Sequence, residues 1–156
     1  MSVSTEYQRR VTGSLLVVVQ FGLLLWLSVM ALPALSLSRL SAPCGLLLFL
    51  SASLGAWTLL HNQLGNFNIH PEPKASGVLV TTGPYRWMRH PMYSTVLLAA
   101  AALACLLGSP KAWLVWALLF GVLLAKSAIE EHWMQTRHPD YKTYCCQRKR
   151  FVPWLF

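Results

Sequence analysis

Residues 86–93 read Arg-Trp-Met-Arg-His-Pro-Met-Tyr (RWMRHPMY), and the fourteen residues after them, STVLLAAAALACLL, carry no charge at all. A polar, cationic loop becomes a continuous apolar run at a single proline. Proline is favoured in the first turn of a helix, where its missing N–H costs nothing, so a helix begins at Pro91. An apolar helix entered through two arginines, a histidine and two aromatic rings is a helix entering a bilayer from a polar surface.

The rest of the chain agrees. Of 156 residues, 55% are apolar and 12% charged, where an ordinary soluble domain is roughly 25% charged. Besides the run at about 91–107, segments at about 14–35, 43–60 and 112–129 are long enough, or nearly so, to cross about 30 Å of hydrocarbon. The sequence therefore predicts an all-α integral membrane protein: one domain over 1–156, four transmembrane helices and a C-terminal interfacial helix. Only Gly108, Ser109, Pro110 and Lys111 separate the third and fourth helices, which forces a tight antiparallel hairpin. The N-terminal apolar run is longer than a signal h-region and lacks a small-residue cleavage site, so it is read as a retained helix.

The net charge of +8 does not imply nucleic acid, because the basic residues gather at the ends of apolar segments rather than along one helix face. Arg9 and Arg10 precede the first helix; Lys74, Arg86 and Arg89 lie between the second and third; Arg137, Lys142, Arg148, Lys149 and Arg150 follow the fourth. Arg39 and Lys111 alone occupy the other side. The positive-inside rule puts both termini and the middle loop in the cytosol. The loop at about 61–90 and the segment at about 130–156 thus share one face and can meet there. The short connections and lack of further domains suit a prokaryotic inner membrane.

The middle loop holds Gly65, Pro71, Pro73, Gly77, Gly83 and Pro84, which break it into turns. Its GVLVTTGPY stretch (77–85) reads as a short extended piece closed by a turn at Gly83-Pro84. The loop delivers Arg89 and His90 to the start of the third helix, where free N–H groups favour a carboxylate or ribose oxygens. At the far end of the fourth helix, Lys126 and Glu130 share a face, and Glu130 and Glu131 are the chain's adjacent carboxylates. Acidic groups so near a bilayer are costly and mark function more often than ordinary helix ends do. The basic, aromatic tail from His132 onward suits an interfacial cover over that site. Cys44 and Cys105 are packing residues within apolar segments, and Cys145 and Cys146 face the reducing cytosol. No CxxC occurs, so no zinc site is expected.

Taken together, GVLVTTGPYRWMRHPMYS (77–94), a helical hairpin, and EEHWMQTRHPDYKTYCCQRKRFVPWL (130–155) resemble the isoprenylcysteine carboxyl methyltransferase family and its phospholipid-methyltransferase-like bacterial relatives. The shared pattern is Arg-His-Pro-x-Tyr, a paired glutamate after the next hairpin, and Tyr-x-x-Tyr leading to an aromatic-Val-Pro ending. It covers the chain from about residue 66 onward. The resemblance implies S-adenosylmethionine as methyl donor at the cytosolic membrane surface, and a lipophilic acceptor arriving from the bilayer: a small apolar molecule, a prenylated cysteine carboxylate or a phospholipid. It implies cofactor binding by His70, by Gly77, Val78, Leu79 and Val80, by Tyr85, by His90, Pro91, Met92 and Tyr93, and by Glu130. Glu131 stands beside it as the second carboxylate. The family's arginine one turn before the glutamate, assigned to the acceptor, is Lys126 here, which keeps the charge but loses the planar fork. The family's Phe-Gly before the tyrosine is also absent, residues 137–140 leading instead into Tyr141.

The residue chemistry suits that donor. Glu130 or Glu131 can accept from ribose hydroxyls or an ammonium, His90 can donate to a carboxylate, and Tyr85, Tyr93 or Trp87 can pack an adenine. Lys126 would be the acceptor-side clamp, and His132 a base where the acceptor must lose a proton. Two other classes stay open. A sterol-type membrane reductase would bind NADPH, and this architecture would not need the GxGxxG that the sequence lacks. A small transporter or scaffold would leave the glutamates and RHPMY without a role, and the first two apolar segments offer a transporter no ionisable residue.

Overall fold

The computed structural model describes residues 3–35, 40–62 and 78–153. They form five α-helices: α1 (Val3–Ala31), α2 (Ala42–His61), α3 (Pro91–Leu107), α4 (Pro110–Arg137) and α5 (Tyr141–Gln147). Short 3-10 turns occur at Leu32–Ala34 and Gly83–Arg86. No strand occurs among the described residues; the one isolated bridge joins Met88 to Lys149.

Three helical segments are long and apolar enough to cross a membrane, Glu6–Ala34, Ala42–His61 and Pro110–Arg137. At 17 residues and 1.5 Å per residue, α3 is only about 25 Å long. Large apolar side chains point outward on these helices, among them Leu25, Phe49 and Leu60. That distribution, inverted relative to a soluble protein, makes the chain an integral membrane protein.

The helix starts follow proline: Pro43, Pro91 and Pro110 each occupy the first turn of α2, α3 or α4. Gly108 ends α3 in the left-handed conformation (φ +57°), its N–H reaching the carbonyls of Ala104 and Cys105. Two helices outrun the sequence expectation. α1 begins well before residue 14, and α4 continues past 129 to Arg137, because their polar ends contain no proline and keep helical geometry after leaving the apolar zone.

α3 lies at the centre, against α1, α2 and α4. Its inner face is mostly alanine (Ala100, Ala101, Ala102, Ala104), which lets neighbouring backbones approach closely. Ser51 of α2 donates to the Thr95 carbonyl at 3.0 Å, and Trp116 of α4 to the Leu97 carbonyl at 2.9 Å. Leu27, Leu97, Val115, Leu119 and Leu123 fill the space between α1, α3 and α4, with Phe151 from the tail.

Candidate functional site

The site forms where the segment before α3 meets the tail after α5. Gly83 adopts φ +59°, a conformation that favours glycine, and the Gly83–Arg86 turn swings the chain toward the start of α3. Residues 88–90 then run parallel to 149–151. The Arg89 N–H donates to the Lys149 carbonyl at 2.8 Å and the His90 N–H to the Arg150 carbonyl at 2.9 Å. Two side chains fasten the joint: the Ser94 hydroxyl donates to the Phe151 carbonyl at 2.6 Å, and the Tyr144 hydroxyl to the Tyr85 carbonyl at 2.6 Å. Burial raises the Tyr144 phenol, and pushes Tyr85 up to about 12, so both remain hydrogen-bond donors at neutral pH.

Successive residues of a helix are rotated by about 100°, so the two carboxylates at the end of α4 face different surroundings. Glu131 is only 5% exposed. Arg150 grips it with two prongs, Nε to Oε1 at 3.1 Å and Nη2 to Oε2 at 3.0 Å; Arg89 Nη1 lies 3.2 Å and His90 Nε2 3.0 Å from Oε1. These hydrogen bonds raise the Arg150 guanidinium above its ordinary value. Both oxygens of Glu131 are thereby engaged by the chain itself.

Glu130 is different. Its side chain is 33% exposed. The Tyr93 hydroxyl donates to Oε2 at 2.7 Å and His90 Nδ1 lies 3.6 Å from the same oxygen, so Oε1 has no partner among the described residues. The Tyr93 and His90 rings stack at 5.2 Å, nearly parallel. Lys126 Nζ sits 5.3 Å from the centre of the Tyr93 ring and donates to Gln20 Oε1 of α1 at 2.9 Å. Lys126 and Gln20 are both buried, 4% and 6% exposed. A continuous polar path results: Gln20, Lys126, Tyr93, Glu130, His90, Glu131, then Arg89 and Arg150.

The other sequence-predicted residues take varied places. His132 lies on α4 beside Trp133, and its Nε2 is buried without a hydrogen-bond partner among the described residues, as are Trp133 Nε1 and Arg89 Nε. Pro91 is buried and Met92 half-buried at the start of α3, while Val78 is exposed and Leu79 and Val80 half-buried ahead of the turn. His70 and Gly77 lie outside the described residues.

Sequence reasoning missed Gln20, Ser94, Tyr144 and Arg150. Gln20 had a usable signal, an amide in the middle of the otherwise apolar VVVQFGLLL. Arg150 had none, being one of several tail cations that the positive-inside rule absorbs equally well.

The site can bind a ligand at two kinds of group. The unused Glu130 oxygen is an acceptor for hydroxyls or an ammonium, and the nitrogens of His132 and Trp133, two and three residues further along α4, have no partner among the described residues. A family model described as phospholipid methyltransferase matches residues 41–140, more than half of the chain. No curated protein matches the chain.

Proposed function

We propose, for a chain that belongs to the phospholipid methyltransferase family and is thereby a membrane methyltransferase, that it transfers methyl groups from S-adenosylmethionine to a lipophilic acceptor at the cytosolic face. The observation that carries this reading is the split between the carboxylates. Glu131 is spent on holding the tail, while Glu130 keeps one oxygen open and its side chain partly exposed.

Glu130 would accept hydrogen bonds from the donor's ribose or ammonium, with Tyr93 fixing its rotamer through the 2.7 Å bond. His90, Tyr85 and the indole N–H of Trp133 would complete the donor side, together with Pro91, Met92 and, from the preceding loop, His70, Gly77, Val78, Leu79 and Val80. Glu131, with Arg89 and Arg150, acts as a positioning group that closes the tail over the site. When bound, S-adenosylmethionine supplies a methyl group on a sulfonium, ready for in-line displacement. The chain's task is therefore alignment and exclusion of water.

Lys126 serves the acceptor side. Its charge is held by the Gln20 oxygen and the Tyr93 face rather than by a carboxylate within ion-pair distance, which leaves it able to attract an anionic acceptor such as an isoprenylcysteine-type carboxylate. His132, whose buried Nε2 has no hydrogen-bond partner among the described residues, would take a proton when the acceptor must lose one. In the membrane we read four spans, α3 being the short one. α3 and α4 form an antiparallel hairpin across Gly108 and Ser109, and both termini are cytosolic.

Calorimetry on the detergent-purified protein tests the reading, titrating S-adenosylmethionine, its demethylated product and NADPH. Saturable binding of the first two, lost in Glu130→Ala, is expected. Binding of NADPH alone would move the protein to the reductases, and binding of none of the three would sink the enzyme reading.

A further inference from the structure

On the outer side of the same joint, a cavity of about 410 Å³ is lined by Arg86, Trp87, Gln147, Arg148 and Lys149. We propose that this cleft binds the phosphate of an anionic phospholipid headgroup. The site is separate from the carboxylates of α4 and does not depend on which acceptor the protein methylates.

The two chain segments that build the joint divide their cations. From 86–90, Arg89 turns inward to Glu131 while Arg86 lines the cleft; from 148–150, Arg150 turns inward to Glu131 while Arg148 and Lys149 line the cleft. The inward pair shares the Glu131 carboxylate. Among the described residues, the cavity that the outward three face has no carboxylate in its lining, and none of the three is ion-paired. Three converging cations without a counter-charge select an anion with several acceptor oxygens, and the two guanidinium groups match a phosphate in particular.

Position chooses the source of that phosphate. Trp87 is exposed and stands four residues before α3 enters its apolar run. An exposed indole at such a point lies at headgroup level, where glycerol and ester groups meet water. The charge distribution puts this face in the cytosol, whose leaflet draws juxtamembrane cations through its negative surface potential. A lipid phosphate in the cleft would bridge the turn to the tail. It would add a tie between two segments already joined through the bonds of Arg89 and His90 to 149–150.

Native mass spectrometry of the full chain in neutral detergent measures this directly, with phosphatidylglycerol, phosphatidylcholine and inorganic phosphate added separately. Phosphatidylglycerol is expected to be retained in preference to phosphatidylcholine. The Arg86→Gln/Arg148→Gln/Lys149→Gln variant is expected to weaken that binding about tenfold or more. A control variant, Arg9→Gln/Arg10→Gln/Lys142→Gln, removes the same charge from the same face outside the cleft and is expected to bind as the parent does. Equal loss in the control would show that only the general surface charge matters, and full retention in the cleft variant would show that the lipid binds elsewhere; either result overturns the proposal. Saturable binding of inorganic phosphate that displaces the lipid would reassign the cleft to a soluble phosphate ligand. Should the triple variant fail to fold, Arg148→Gln/Lys149→Gln carries the same comparison against Arg9→Gln/Arg10→Gln.

Discussion

Neutralising the two adjacent glutamates one at a time should produce two different proteins. Glu131→Gln keeps the size of the side chain but removes the negative charge that Arg89, His90 and Arg150 converge on at 3.0–3.2 Å. Two of those partners are nearly closed to water, with side-chain exposures of 11% for Arg89 and 5% for His90, while Arg150 at 31% can rehydrate. Removing one partner of a buried ionic group costs about 3–5 kcal/mol, and the partial escape of Arg150 favours the lower end. At about 2–4 °C per kcal/mol for a chain of this size, a loss of about 3 kcal/mol lowers the melting temperature by about 6–12 °C. Glu130→Gln retains an oxygen for the Tyr93 hydroxyl and sits partly in solvent, so its stability cost is about 1 kcal/mol or less. It should instead weaken S-adenosylmethionine binding. Tryptophan fluorescence during thermal unfolding in detergent reads the first quantity and calorimetry the second. Equal melting temperatures for Glu131→Gln and the parent, or a Glu130→Gln loss as large as that of Glu131→Gln, would refute the division of labour.

The remaining predictions concern the supports of the site. Gln20→Leu strips buried Lys126 of its 2.9 Å hydrogen bond and should destabilise by about 1–3 kcal/mol; Gln20→Leu/Lys126→Leu should recover most of it, and strict additivity in the double-mutant cycle would disprove the pairing. Gly83→Ala should cost at least about 1–2 kcal/mol from the left-handed backbone alone, and more because the new Cβ would overlap the His61 ring; an unchanged melting temperature would show that the turn is not held as described. Burial raises the Cys145 thiol, which also accepts a hydrogen bond from Arg89, whereas Cys146 is exposed. At pH 7 less Cys145 than an ordinary thiol is therefore ionised, so peptide mapping after brief maleimide treatment should find Cys146 modified first, and the reverse order would contradict the docked tail.

The helices were legible because a bilayer writes them coarsely: a charge-free run bounded by proline or glycine has few other readings. Their ends were less so. Where α1 and α4 leave the apolar zone, hydropathy falls silent while the helix continues, and only a breaker such as the Pro139 region marks a stop. Within the site, His90, Tyr93, Glu130 and Lys126 could be grouped from sequence because each sits at a helix end or one turn from another. What could not be read was their division. Whether Glu130 or Glu131 faces the tail depends on where Arg150 lies, and that follows from the pairing of 149–151 with 88–90, a contact across some sixty residues of chain. The Lys126–Gln20 bond spans 106 positions, and no local pattern in α1 points to its partner.

The family match ends at both sides of this network. Residues 41–140 contain His90, Tyr93, Lys126, Glu130 and Glu131, yet Gln20 and Arg150 lie outside them. Each supplies what the matched region lacks: Gln20 gives Lys126 a hydrogen-bond acceptor inside an apolar bundle, and Arg150 gives Glu131 its two-pronged partner. Without Gln20, buried Lys126 would lose its hydrogen-bond acceptor, and without Arg150, Glu131 would keep Arg89 and His90 but lose the partner on Oε2. The first helix and the docked tail thus each complete a polar contact that begins in the matched segment. On the proposed reading these two additions have separate consequences. Gln20 and Lys126 shape what the acceptor side accepts, while Arg150 governs how firmly the cover closes over the methyl donor. Changes in α1 should then alter acceptor preference with little effect on donor affinity, and changes in the tail should do the opposite.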